Sequence, residues 1–302
     1  MSEEQLSFND FLQKEVEKYR GIYVPVKAGL LRRAAIRFAP CKRLHPNPDD
    51  EFCFPEIGPK REIIAQYGKR IVELQGQPLI QVFGSRITVQ KIRPDGYLIL
   101  NGHHRWAAAM RYNLKKVSIQ IVDLTQEEDL RAMFRKAKND KRVTFDLDEV
   151  VFCHDEKKDQ MEKRLSFPLN KIYKERLCLG IPALFHFFRN KGYDVWVYSA
   201  NYYSADYIRN LFRHYHVEVT GIITGTERKV STKDAKTREQ LEKEFKDLYA
   251  VTVHVDRKSL VRIDNRDKTF DEYELNKETQ WSAAIMDVMR EISSHEREND
   301  NR

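Results

Sequence analysis

"VTFDLDEVVF", residues 143–152, is an apolar run broken by two carboxylates, Asp146 and Asp148. In a strand, positions two apart project to the same face. Two acids on one face of a buried strand lose water and repel each other. They therefore need a cation, a hydrogen-bond network or an exposed strand end. An Asp-x-Asp at a strand end can equally be a plain turn, and the pair alone does not separate the two.

The chain that follows alternates between strand and helix. "VTFDL" is followed by helical stretches to about residue 190, the strand "DVWVYSA" (194–200) and the helix "SADYIRNLFRHY" (204–215). The strand "VTGIIT" (219–224), the helix "DAKTREQLEKEF" (234–245) and the strand "AVTVHV" (250–255) come next. Such alternation predicts a parallel sheet with helices on both faces. Sites in these sheets lie beyond the carboxyl ends of the strands, where Asp146 and Asp148 fall.

These residues resemble the haloacid dehalogenase (HAD) superfamily, over roughly residues 141–292. "FDLDEVVF" resembles its first motif, hhhDxDx[TV], and Ser199 ends the second strand where that family holds the phosphoryl group with a Ser or Thr. Its motif lysine has three candidates in "TERKVSTKDAK" (226–236): Lys229 and Lys233 are preferred and Lys236 is the third, and spacing does not separate them. Asp256 in "VTVHVDRKSLVRID" (251–264) occupies the last motif. Lys258 stands where a second acid is usual, with Asp264 further on. The resemblance implies an α/β Rossmann-like phosphohydrolase. In it Asp146 attacks phosphorus, Asp148 acts as acid and then base, and Ser199 with Lys233 or Lys229 stabilises the transferred oxygens. It also implies Mg²⁺ held by Asp146, Asp256 and the Asp148 carbonyl. The chemistry suits the residue types: a carboxylate nucleophile, a carboxyl proton shuttle and a hard cation among oxygens. The interval between Asp148 and Ser199 leaves room only for a minimal cap, so the expected site is open and suits a large substrate.

Upstream lies a different pattern. A helix is expected over "KREIIAQYGKRIVELQ" (60–75), a strand near "PLIQVF" (78–83), a turn at "RPDG" (93–96) and a strand "YLIL" (97–100). A helix at about 104–112 and a strand "VSIQIVDL" (117–124) complete a small α+β domain. "GYLILNGHHRWAAAMRYNLKKVSIQIV" (96–122) resembles the ParB/sulfiredoxin-like fold, with "LHPNPDDEFCFPEIGP" (44–59) similar to its Asn-Pro segment and "PLIQV" to its usual strand. The resemblance covers about 44–124. It implies that the Gly102–Arg105 turn binds nucleotide phosphates, with ATP, ADP and CTP the candidate nucleotides. Gly102 would allow close approach, helix amides would attract the anion, and Arg105 would pair with it. His103 and His104 are candidate donors there, although a His pair is more often structural. No Cys stands beside this turn, which argues against sulfiredoxin chemistry. A serine-phosphorylating branch of the fold uses an acidic base, for which Glu51 and Glu56 are both open.

Charge separates the two halves. Residues 1–124 carry 20 Lys and Arg against 13 Asp and Glu, whereas the remainder carries 33 of each, so the whole net charge of +7 resides in the first part. That surplus suits a phosphate-rich partner, nucleotide or nucleic acid, or simply a solvated basic face. "LLRRAAIRFAPCKR" (30–43) could follow a nucleic-acid backbone or form an edge strand with its charges outward, and the edge strand is favoured. "WAAAM" (106–110) reads as core.

The expected organisation is a first domain over 1–124, a charged helical linker over 125–140, a second domain over 141–292 and a charged tail over 293–302. Four scattered cysteines without a CxxC pattern, no apolar run of membrane-spanning length and a polar amino terminus lead to an expected cytoplasmic protein without membrane partners. The expected substrate is a phosphorylated metabolite, a nucleotide or a nucleic-acid end. A regulatory nucleotide- or nucleic-acid-binding protein with a weakened phosphatase is the alternative, as is a kinase–phosphatase pair acting on one metabolite.

Overall fold

The computed structural model describes residues 8–19, 24–153, 161–226, 232–275 and 280–300. They divide into two compact units, with the change at Leu124/Thr125.

The first unit contains α1 (Phe8–Tyr19), β1 (Val24–Pro25), α2 (Leu30–Ala35), β2 (Phe38–Pro40), β3 (Leu44–His45), α3 (Arg61–Glu73), α4 (Leu79–Phe83), β4 (Ile87–Arg93), β5 (Tyr97–Asn101), α5 (His103–Arg111) and β6 (Lys116–Ile121). Its mixed sheet has the order β2-β6-β4-β5-β3, with β1 also on β4. The β4–β5 hairpin closes through Gly96 at φ +88, where a Cβ would meet the Arg43 carbonyl and the His45 ring at 2.5 Å; no other residue fits. Trp106 and Ala107–Ala109 are buried as expected of a core stripe, and the Trp106 indole donates to the Cys41 carbonyl at 3.2 Å.

Two expectations change here. "PLIQVF" is the helix α4 rather than a strand. Adjacent Val82 and Phe83 are both buried while Ile80 faces water, a helical pattern that a five-residue apolar run cannot reveal in advance. "LLRRAAIRFAPCKR" splits: Leu30–Ala35 is helical, and only Phe38–Pro40 forms the edge strand.

The second unit begins with α6 (Glu127–Phe134), which starts with a capping box between Gln126 and Asp129. The stretch expected to be a linker thus contributes Met133 to this unit's core. There follow β7 (Lys141–Asp146), α7 (Leu169–Ile172), α8 (Ile181–Asn190), β8 (Tyr193–Ser199), α9 (Ala205–His214), β9 (Gly221–Thr224), α10 (Thr232–Leu248), β10 (Val251–Val255), β11 (Ser259–Asp264), β12 (Thr269–Glu274) and α11 (Trp281–Asp300). The charged tail expected from 293 continues as helix to Asp300.

The sheet order is β12-β11-β10-β7-β8-β9, with β10, β7, β8 and β9 mutually parallel and β11 and β12 added antiparallel. On one face Phe145 meets Phe185 and Phe188 of α8. On the other, Trp196 meets Phe134 of α6 and Phe245 of α10. Each fully buried phenyl contributes about 1.5–3 kcal/mol relative to exposure. The β11–β12 hairpin escapes the sequence reading because β12 is almost entirely exposed and shows no apolar alternation. Among the described residues no helix is long and apolar enough to cross a membrane.

Candidate functional site

From β7 the chain runs to β8 and β9 on one side and returns to β10 on the other. β7 is therefore the switch strand, and the crevice beyond its carboxyl end is where open parallel sheets place ligands. Asp146, the last residue of β7, lies opposite Tyr198 of β8. Phe145 lies opposite Val255 of β10, so Asp256 leaves its strand level with Asp146, one strand spacing of about 4.8 Å away. Tyr198 reports the same convergence: its phenol is pushed up by burial and then by the charges of Asp146, Asp256 and Glu149.

The turn after β7, Leu147–Val151, is a single π-helical turn capped by Asp146. Asp146 Oδ1 accepts the backbone N–H groups of Asp148 at 2.7 Å and Glu149 at 2.9 Å. This cap holds the carboxylate in one orientation and brings Asp148 over the strand end. Asp148 Oδ2 accepts the hydroxyl of the fully buried Ser199 at 2.6 Å, and Ser199 Oγ in turn accepts the Asn201 N–H at 2.9 Å. Tyr203 is also hydrogen-bonded to Asp148; burial first, then Asp148 and Glu175, hold its phenol well above the usual range. Sequence reasoning missed Tyr198 and Tyr203, although tyrosines on both sides of Ser199, in "VYSANYY" (197–203), were the signal.

The other predicted residues differ in their surroundings. Asp256 is exposed and accepts the N–H of Arg257, whose guanidinium donates to the Glu149 carbonyl. Lys258 sits in the tight turn between β10 and β11, at this same end of the sheet. Asp264 does not join the site: it pairs with Val251 at the start of β10, roughly 13 Å along the strand from Val255. There it accepts from Arg262, Arg266 and Asp267. Lys229 lies outside the described residues. Lys233 and Lys236 belong to α10, their side chains outside the description. Among the described residues no three His, Cys, Asp or Glu side chains form a metal cluster. Asp146 and Asp256 supply two hard carboxylates.

In the first unit, Gly102 caps α5 at φ +104, and Arg105 folds back over it; a Cβ on residue 102 would lie 3.2 Å from the guanidinium. Arg105 donates to Ser85 Oγ, to the Arg86 carbonyl at 2.7 Å and to Asn101 Oδ1 at 3.0 Å. Burial lowers its pKa. The guanidinium is thus held rigidly beside the amino end of α5.

His103 and His104 have structural partners. His103 Nε2 accepts the Asn47 N–H at 3.2 Å, with Asp50 3.6 Å from Nδ1; His104 Nε2 accepts the Lys60 N–H at 3.1 Å. Phe52 stacks on His103 and meets His104 edge-on. Burial lowers both imidazole pKa values, with Asp50 opposing. The two rings tie the loop of residues 47–60 to the amino end of α5. Glu51 and Glu56 are both on the exposed side of that loop.

Residues 80–136 match the ParB N-terminal domain, from α4 through α6, with the Gly102–Arg105 turn inside the match. No curated protein matches the chain. Among the solved structures that it resembles are two of the C-terminally truncated chromosome-partitioning protein ParB from Caulobacter crescentus. The one complexed with CTP-gamma-S is 31% identical over 32% of this chain and 48% of that one, with a TM-score of 0.22. The one complexed to the centromeric parS site is 25% identical over 35% of this chain and 52% of that one, with a TM-score of 0.23. The chain thus spans about half the length of these ParB structures.

Proposed function

We propose that the chain binds a nucleotide, or the phosphates of a nucleic acid, through the Gly102–Arg105 turn. The observation that carries this is the ParB N-terminal match over residues 80–136, which contains a left-handed glycine, a helix start and a half-buried arginine held by three hydrogen bonds in one turn. Backbone amides and a fixed guanidinium are complementary to phosphate oxygens. Titration calorimetry of the full chain with CTP, ATP and ADP tests it: saturable binding of one of them is expected, and no heat with any would overturn it.

The second unit supports a second activity, a HAD-like phosphohydrolase. The favouring observation is Asp146 at the switch strand, level with Asp256 and capping the turn that carries Asp148 to Ser199. In this reaction an Asp146 oxygen attacks phosphorus while the bond from phosphorus to the leaving oxygen breaks. Asp148 gives its proton to that oxygen, which departs as an alcohol. Water then attacks the aspartyl phosphate, Asp148 takes up its proton, and inorganic phosphate leaves with Asp146 restored. Mg²⁺, which suits carboxylate oxygens such as those of Asp146 and Asp256, would neutralise charge on the phosphoryl group. Release of p-nitrophenol from p-nitrophenyl phosphate, abolished by EDTA and restored by Mg²⁺, is the expected result; no release under any metal would contradict it.

A further inference from the structure

Beside Asp148 lies a set of aromatic side chains that neither proposed activity uses. Tyr203, hydrogen-bonded to Asp148, stands edge-on to Phe152 with ring centroids 5.7 Å apart. Glu175 lies close enough for its charge to act on Tyr203, and it accepts the hydroxyl of Tyr207. The Tyr207 ring lies 5.0 Å from Tyr173, tilted by 39°, and Tyr173 lies 5.2 Å from His214. Tyr173, Tyr203 and Tyr207 are each only partly buried. From Asp148 outward these residues form two aromatic groups, Tyr203 with Phe152 and Tyr207 with Tyr173, with the Glu175 carboxylate between them.

Their position fixes what they would touch. A general acid must lie within hydrogen-bond reach of the oxygen it protonates. The group carrying that oxygen therefore occupies the Asp148 side of the site, against Tyr203 and towards Tyr207 and Tyr173. Partly exposed rings there favour a planar aromatic group, and they do little for a small alcohol or a simple sugar. Glu175 adds an acceptor for a base N–H or a sugar hydroxyl.

On the basis of the phosphohydrolase activity at Asp146, we propose that the leaving group is a nucleoside. The substrate is then a nucleoside phosphate, free or at the end of a nucleic-acid strand. Phosphate release by the full chain should be compared across nucleoside 3′- and 5′-monophosphates, 3′- and 5′-phosphorylated oligonucleotides, glycerol 2-phosphate and glucose 6-phosphate. The best nucleoside substrate should exceed glycerol 2-phosphate in kcat/KM by about tenfold or more, the scale expected of one stacked base. The mononucleotide and oligonucleotide arms tell a free nucleotide from a strand end, and either being preferred supports the proposal. Tyr173→Ala should shrink the preference about tenfold. Tyr173→Leu, which keeps apolar bulk if alanine fails to fold, should shrink it also. Equal kcat/KM across the panel, or a preference unaltered in both variants, would overturn the proposal while leaving the hydrolase intact. No phosphate release from any substrate, p-nitrophenyl phosphate included, would overturn the hydrolase and this proposal with it.

Discussion

Ser199 donates its hydroxyl to Asp148 Oδ2 at 2.6 Å, joining the end of β8 to the turn after β7. A serine hydroxyl has one proton to give. While Asp148 is ionised that proton is committed to it. In the proposed hydrolase reaction, a protonated Asp148 aims its proton at the leaving oxygen and no longer needs the Ser199 hydroxyl, which is then free to turn to a phosphoryl oxygen. On that proposal the pair would couple the protonation of the acid to the readiness of Ser199 as a phosphate donor.

Ser199→Ala should accordingly lower phosphate release by about a hundredfold or more, the scale of losing one preorganised donor. It should also cost about 1–3 kcal/mol of stability, because Asp148 loses a buried partner. Steady-state kinetics and urea unfolding of the same variant check both; full activity would remove Ser199 from the site.

Arg105→Ala should affect binding and stability together. Its guanidinium contacts Ser85, the Arg86 carbonyl and Asn101. Its loss should weaken nucleotide binding by about 1.5–3 kcal/mol for a charged hydrogen bond. Calorimetry with the nucleotide bound by the wild type reads this, and unchanged affinity would confine Arg105 to a scaffold role.

The buried His103 makes the first unit sensitive to acid. Burial lowers its pKa in the folded state, so the unfolded chain takes up the proton first. Its contribution to stability is present above about pH 6.5 and is lost as pH falls from there towards the lowered folded value, at about 1.4 kcal/mol per unit. Denaturant midpoints between pH 7 and 5 should show this slope in the wild type and a shallower one in His103→Gln. Equal slopes would mean that another group titrates.

A truncated chain starting at Lys138 should be less stable than one starting at Thr125. The shorter one loses α6, with buried Met133, the Phe134 contact to Phe245 at 4.5 Å and the ion pair from Arg131 to Glu244 at 3.1 Å. Removing Met133 and Phe134 should cost several kcal/mol, about 2–5 for each large core side chain. Thermal unfolding of the two fragments would decide it, and equal Tm values would make α6 dispensable.

Much of this was legible in the sequence because the decisive residues sit in strongly patterned elements. β7, β8, β9 and β10 are short apolar runs separated by helices; Asp146 and Ser199 end β7 and β8 and Asp256 follows β10, whereas the candidate lysines after β9 lie outside the described side chains. The Gly102–Arg105 turn lies between a strand and an alanine-rich helix, again a clear change of period. What escaped lacked such contrast. "PLIQVF" is too short to show a helical period, and β12 is too exposed to show a strand alternation. Tyr203 reaches Asp148 only through the fold, and the exclusion of Asp264 follows from an antiparallel register that spacing along the chain cannot convey.

The nucleophile assignment is tested most directly by trapping the covalent intermediate. The full chain, incubated with Mg²⁺ and a phosphate ester and quenched in acid, should carry one phosphoryl group, and peptide mass spectrometry should place it on Asp146. Asp146→Asn keeps an acceptor for the N–H groups of Asp148 and Glu149, so it should fold to within about 1 kcal/mol of the wild type. It should form no such adduct and release no phosphate. An adduct on another residue, or turnover surviving in folded Asp146→Asn, would contradict the assignment.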